Sequence, residues 1–90
     1  MRFLKFLKNL FSTKELTEYE LAKRTIKKMG YKSDGSGAFV KDSREGRTMI
    51  WITNNGVKIK AYFGGYAESE FLPRPIDKEK LKYFVKINQV

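Results

Sequence analysis

Two alternating runs, RTMIWIT at 47–53 and VKIKAYF at 57–63, flank the triplet NNG at 54–56, and no other feature limits the fold so tightly. Alternation of apolar and polar side chains over seven residues is the period of a half-buried strand, and Asn-Gly between two such runs is the strongest short-range hairpin signal. A two-residue type I′ turn on Asn55 and Gly56 sets Ile52 opposite Ile59, Trp51 opposite Lys60, Ile50 opposite Ala61 and Met49 opposite Tyr62. A turn on Asn54 and Asn55 keeps the same residues on the same faces, whereas a three-residue loop with a bulge changes their relation. One face then carries Thr48, Ile50, Ile52, Val57, Ile59, Ala61 and Phe63. The other gathers Arg47, Met49, Trp51, Thr53, Lys58, Lys60 and Tyr62, and is aromatic and basic at once.

Around this hairpin the chain reads as helices and short strands. Phe3, Leu4, Phe6, Leu7, Leu10 and Phe11 fall within an arc of about 160° on a helix at about 100° per residue, opposite Arg2, Lys5, Lys8 and Asn9, so residues 1–12 form an amphipathic helix that ends near Ser12 and Thr13. Thr17-Glu18-Tyr19-Glu20 has the spacing of a capping box, with Leu16 and Leu21 at the staple positions. Lys27 and Lys28 suit the negative end of the helix dipole and Gly30 the left-handed position after it, which predicts a helix over 17–29. KSDGSG at 32–37 is a loop, Phe39 and Val40 a short strand, and SREG at 43–46 a turn. Gly64-Gly65 ends the second hairpin strand, and YAESEFL at 66–72 is either an edge strand or an extended loop. Pro73 and Pro75 interrupt regular structure, and Asp77 is placed to cap a final helix over 78–88 with Leu81, Phe84 and Val85 on one face. The expected architecture is one small α+β domain spanning 1–90, in the order α-α-β-β-β-α. Its antiparallel sheet has three strands, or four if 66–72 pairs, and packs against the helices, with 1–12 as a candidate appendage.

Ninety residues allow a single core that buries about 60% of the unfolded surface, and 41% hydrophobic residues suffice to fill it. The chain has no Cys and no His. Disulfides, structural zinc sites and Cys or His nucleophiles are therefore excluded, and no residue titrates near neutrality without a perturbed pKa. Neither a metal nor another cofactor is expected, nor enzymatic activity. The apolar run at the start is interrupted by Lys5 and Lys8 and is too short to span a bilayer, and no small-residue cleavage site follows it, so an intracellular, cytoplasmic location is expected.

Charge points to acidic partners: 19 Lys and Arg face 10 Asp and Glu, a formal net charge of +9. Nine basic and three acidic residues lie in 1–32, five and three in 33–60, and five and four in 61–90. Rings framed by cations are what single-stranded nucleic acid binding uses, with bases on the rings and Lys or Arg on the phosphates. Arg47, Trp51, Lys58, Lys60 and Tyr62 make one candidate surface of this kind. If helices cover both sheet faces instead, Trp51 is a core residue, and its pairing with a Lys is an ordinary cross-strand cation–π contact. Lys23, Arg24, Lys27 and Lys28 on the second helix make another candidate, spaced to follow a duplex backbone and joined by Lys32, Lys41 and Arg44; the alternative is a solvated helix face. DGSG at 34–37 lacks the Lys and Ser/Thr of a P-loop and reads as a turn. Glu68 and Glu70 fall two apart without further cation ligands nearby in sequence.

The N-terminal helix has three candidate roles: part of the domain's own core, a partner or homodimer contact through Phe3, Leu7, Leu10 and Phe11, or a weak membrane contact. The α-β-β-β-α portion has the element order of double-stranded RNA-binding domains but neither their Gly-Pro-x-His loop nor their Lys-Lys-x-Ala-Lys helix start, and order alone transfers no function. The sequence therefore favours a non-enzymatic protein that binds DNA or RNA. The rival readings are a regulator or inhibitor on an acidic protein surface, such as that of a nucleic-acid-processing enzyme, and peripheral membrane association.

Overall fold

The computed structural model describes the backbone of residues 13–90 and the side chains of 17–90. The amphipathic stretch carrying Phe3, Leu7, Leu10 and Phe11 lies outside the described residues. Those described follow the order α1 (Thr13–Lys28), β1 (Lys32–Ser33), β2 (Ala38–Asp42), β3 (Gly46–Thr53), β4 (Gly56–Phe63), β5 (Tyr66–Pro73) and α2 (Lys78–Asn88). The strands form one antiparallel sheet in the order β1-β2-β3-β4-β5, so this is an α+β domain with five strands rather than three or four.

The hairpin forms with its predicted faces but a different register. The turn sits on Asn54 and Asn55, pairing Ile52 with Val57, Trp51 with Lys58 and Ile50 with Ile59. A type I′ turn on Asn55 and Gly56 needs positive φ at Asn55, and among the described residues only glycines have positive φ. The Asn55 N–H instead donates to Thr53 Oγ1 at 3.2 Å, and the Thr53 hydroxyl donates to the Gly56 carbonyl at 3.0 Å. Gly56, at φ 150°, opens β4 where the Leu72 carbonyl would lie 2.0 Å from a Cβ. Because the slip is two residues, every side chain keeps its face.

Gly64 and Gly65, at φ 53° and 82°, make the type I′ turn of the next hairpin, and β5 pairs with β4 along its whole length. The predicted loop at 32–37 contains a second departure, since Lys32 and Ser33 pair with Val40 and Phe39. The tight turn between them is held by Asp34, which accepts from the Ser36 N–H at 2.8 Å and the Ser36 hydroxyl at 2.7 Å; these bonds, the hydroxyl's first, hold the Asp34 carboxyl below its usual pKa.

α1 begins four residues before the predicted cap, so Thr17 stands inside the helix and the capping-box reading fails. Glu18 is spent elsewhere: buried at 8% exposure, it accepts from Arg74 Nε at 2.6 Å. Arg74 lies between β5 and α2, and its backbone N–H donates to the Asn55 carbonyl at 3.1 Å, so this pair joins α1, the β3–β4 turn and the approach to α2. α2 has the predicted bounds, with Asp77 accepting from the N–H groups of Glu79 and Lys80, both at 3.1 Å.

Both helices pack on the same side of the sheet. Ala22 and Ile26 from α1 and Leu81, Phe84 and Val85 from α2 share one cluster with Phe39, Ile50, Val57 and Ile59, all residues of a single sheet face. At the C-terminal end of α1, Lys41 Nζ donates to the Met29 carbonyl at 3.0 Å and lies 5.6 Å from the Tyr31 ring centroid. The Tyr31 hydroxyl donates to Gln89 at 2.9 Å, and burial pushes its pKa up. No helix among the described residues is long and apolar enough to cross a membrane.

Candidate nucleic-acid interface

Because strands alternate, the side chains that do not meet the helices all project from the opposite face, and the register arranges them in rows. One row runs Ala38, Trp51, Lys58, Phe71; the next runs Lys32, Val40, Met49, Lys60, Ser69; the third runs Asp42, Arg47, Tyr62, Ala67. None of these residues belongs to the core cluster. Ala38 is buried and Trp51, Val40, Met49 and Lys60 are half-buried, while Lys58, Tyr62, Phe71, Arg47 and Lys32 are exposed.

All five residues proposed for the hairpin surface, Arg47, Trp51, Lys58, Lys60 and Tyr62, therefore stand together on the face that neither described helix covers. Lys58 Nζ lies 5.6 Å from the Trp51 ring centroid and Lys60 Nζ 5.2 Å from that of Tyr62. At these distances each ammonium is held beside a ring by a contact worth about 0.5–1 kcal/mol at exposed sites, weak enough to be exchanged for a phosphate. Arg47 is more engaged, since its Nε donates to Asp42 at 2.7 Å; that hydrogen bond, and secondly the carboxylate charge, pushes its pKa up. Beside Arg47 and Tyr62 the surface is hollowed into an open depression of about 560 Å³ at the Gly64–Gly65 turn.

The charge on this face is one-sided. Of the acidic residues on the strands, Glu68 and Glu70 of β5 project to the helix side, across from Ala61 and Ile59, and only Asp42 shares the free face with four cations. Lys32, grouped in the sequence with the helix lysines, belongs here through its pairing with Val40. Lys41, grouped there with the same lysines, is a β2 residue committed to the end of α1. Phe71, at 47% exposure, was missed as a site residue. The signal was its place in YAESEFL, where pairing with β4 makes it a neighbour of Lys58.

The second candidate surface lies elsewhere. Ala22 and Ile26 turn α1 toward the sheet, which leaves Arg24, Lys27 and Lys28 exposed and Lys23 half-buried on the outer side of the helix layer. That side is opposite the free sheet face, so the two basic sets do not merge into one patch. No protein-family model matches the chain, and no curated protein or solved structure matches it either.

Proposed function

We propose that this protein binds single-stranded nucleic acid on the free face of its sheet, without catalysing a reaction. Bases stack on Trp51 and Tyr62, while Lys58, Lys60 and Arg47 neutralise phosphates. The observation that carries the reading is that both described helices pack on one side, leaving aromatic rings with a lysine beside each on the other. An ammonium poised over a ring supports both parts of such binding: it need move only a few ångströms to reach a phosphate, and the ring it uncovers is a flat apolar platform. Duplex is the weaker ligand in this reading, because its bases are already paired and stacked.

Fluorescence of Trp51, the sole tryptophan, reports the site directly. Titration with single-stranded DNA or RNA at low salt is expected to quench it, and duplex DNA to leave it nearly unchanged. Trp51→Ala, followed by the anisotropy of a labelled strand, should weaken binding by about 1–3 kcal/mol while the circular dichroism spectrum stays native. Unfolding of that variant would make Trp51 a structural residue. Strand binding with unchanged Trp51 emission would move the site to Lys23, Arg24, Lys27 and Lys28 on α1. Failure to bind any nucleic acid at low salt would leave an acidic protein surface as the target of the +9 charge.

A further inference from the structure

We infer that Phe71 is a third stacking platform, and that the ligand is an extended strand of about four nucleotides, lying across β3, β4 and β5 with its bases splayed apart. The inference rests on the reading above and adds the reach of the site and the state of the strand in it. Trp51, Lys58 and Phe71 occupy one row on three successive strands. Two inter-strand steps separate their backbones by about 9.5 Å, and the Phe71 ring leans toward Gly56, where its Cζ would lie 2.9 Å from an added Cβ, whereas stacked neighbours in a strand follow one another at about 3.4 Å. Bases resting on these two rings are therefore not stacked on each other. Lys58 lies between them, where the phosphates that connect the two nucleotides must pass.

Tyr62 extends the platform along β4. It stands four residues from Lys58, about 13 Å at the rise of a strand, beside the open depression at the Gly64–Gly65 turn. Three rings at these separations suit a short unstacked strand and not a helical one. The edge position of β5 matters for this role: no further strand lies beyond it among the described residues, so a nucleic-acid strand can leave the sheet past Phe71 without crossing another described strand. An edge strand is also where an exposed Phe is a liability unless something covers it. Glu68 and Glu70 project to the other face, so neither carboxylate lies among the rings.

Oligothymidylates of two to eight nucleotides, titrated against the full chain with Trp51 emission and labelled-strand anisotropy as readouts, test this. Affinity should climb steeply to four or five nucleotides and then rise only with the number of equivalent registers. Phe71→Ala and Phe71→Leu should each weaken the five-nucleotide ligand by about five-fold to about 150-fold, with the salt dependence unchanged, because a ring is lost and no charge. Leu keeps an apolar side chain, so its failure to rescue would separate ring stacking from simple coverage of the edge. Native affinity in Phe71→Leu alongside weakened binding in Trp51→Ala would overturn the role of Phe71 and leave the proposed function standing. Native affinity in both would remove the function as well. A steady climb in affinity to eight nucleotides would overturn the four-nucleotide extent.

Discussion

Replacing Lys58 and Lys60 together by Gln should flatten the salt dependence of strand binding by an amount that can be worked out in advance. Each phosphate neutralised on a single strand contributes about −0.7 to the slope of log K against log salt. Lys32, Lys58 and Lys60 of the sheet face have no ion pair among the described residues, and three phosphate contacts give a slope of about −2. Arg47 brings this to about −2.8 if a phosphate displaces Asp42. Between 50 and 200 mM salt the affinity of the native chain should thus fall about 20- to 50-fold. The double variant should lose about 1.4 from the slope, so its affinity should fall only about 2.5- to 7-fold over the same range. The assay is labelled-strand anisotropy at four or more salt concentrations, with Lys27→Gln/Lys28→Gln as the matched control on α1. A native slope near −5 would mean that both basic surfaces engage the strand at once. A slope lowered by the α1 control and not by the sheet variant would refute the reasoning outright.

Two further outcomes concern the frame that presents this face. Arg74→Met takes the guanidinium from the buried Glu18 carboxylate and should cost about 1–3 kcal/mol in urea unfolding, less than for a fully enclosed pair because the Arg74 side chain keeps 23% of its exposure. Glu18→Gln combined with Arg74→Met should cost less than the two singles added together, and strict additivity would show that the pair carries no coupling. Gly56→Ala drives a Cβ against the Leu72 carbonyl at φ 150°, whereas at Gly35, φ 84°, a Cβ meets nothing within 4 Å. The first substitution should lower the urea midpoint clearly more than the second, and equal losses would show that β5 yields at no cost.

Legibility in the sequence varied with how local the governing physics is. The last helix was readable to the residue because Asp77 makes its cap bonds within three positions. α1 misled for the same reason. Thr17 and Glu20 have cap spacing, but a cap competes with continued helix, and the Glu18 bond to Arg74, 56 residues away, holds that turn down. β5 was ambiguous because the hydrophobic pattern is a record of burial and this strand has little: only Leu72 is half-buried, the rest exposed. Backbone pairing with β4 and the Gly64–Gly65 turn hold it instead. Phe71 was lost from the candidate site along with it.

By itself, the sequence determined that a hairpin with two chemically different faces would form, and which residue goes on which face. The period of a strand is two, so the two-residue slip from the expected register moved partners along the strand without turning any side chain over. Which face stays free was decided only by tertiary structure. Alternation says the faces differ, and the helices then choose between them by free energy. Ile50, Val57 and Ile59 bury completely beneath α1 and α2, while a helix on the other side would have to strip water from Lys58 and Lys60 without carboxylate partners on that face for their charges, Asp42 being taken by Arg47. That difference seats both described helices on one side and leaves Trp51, Tyr62 and Phe71 on the other.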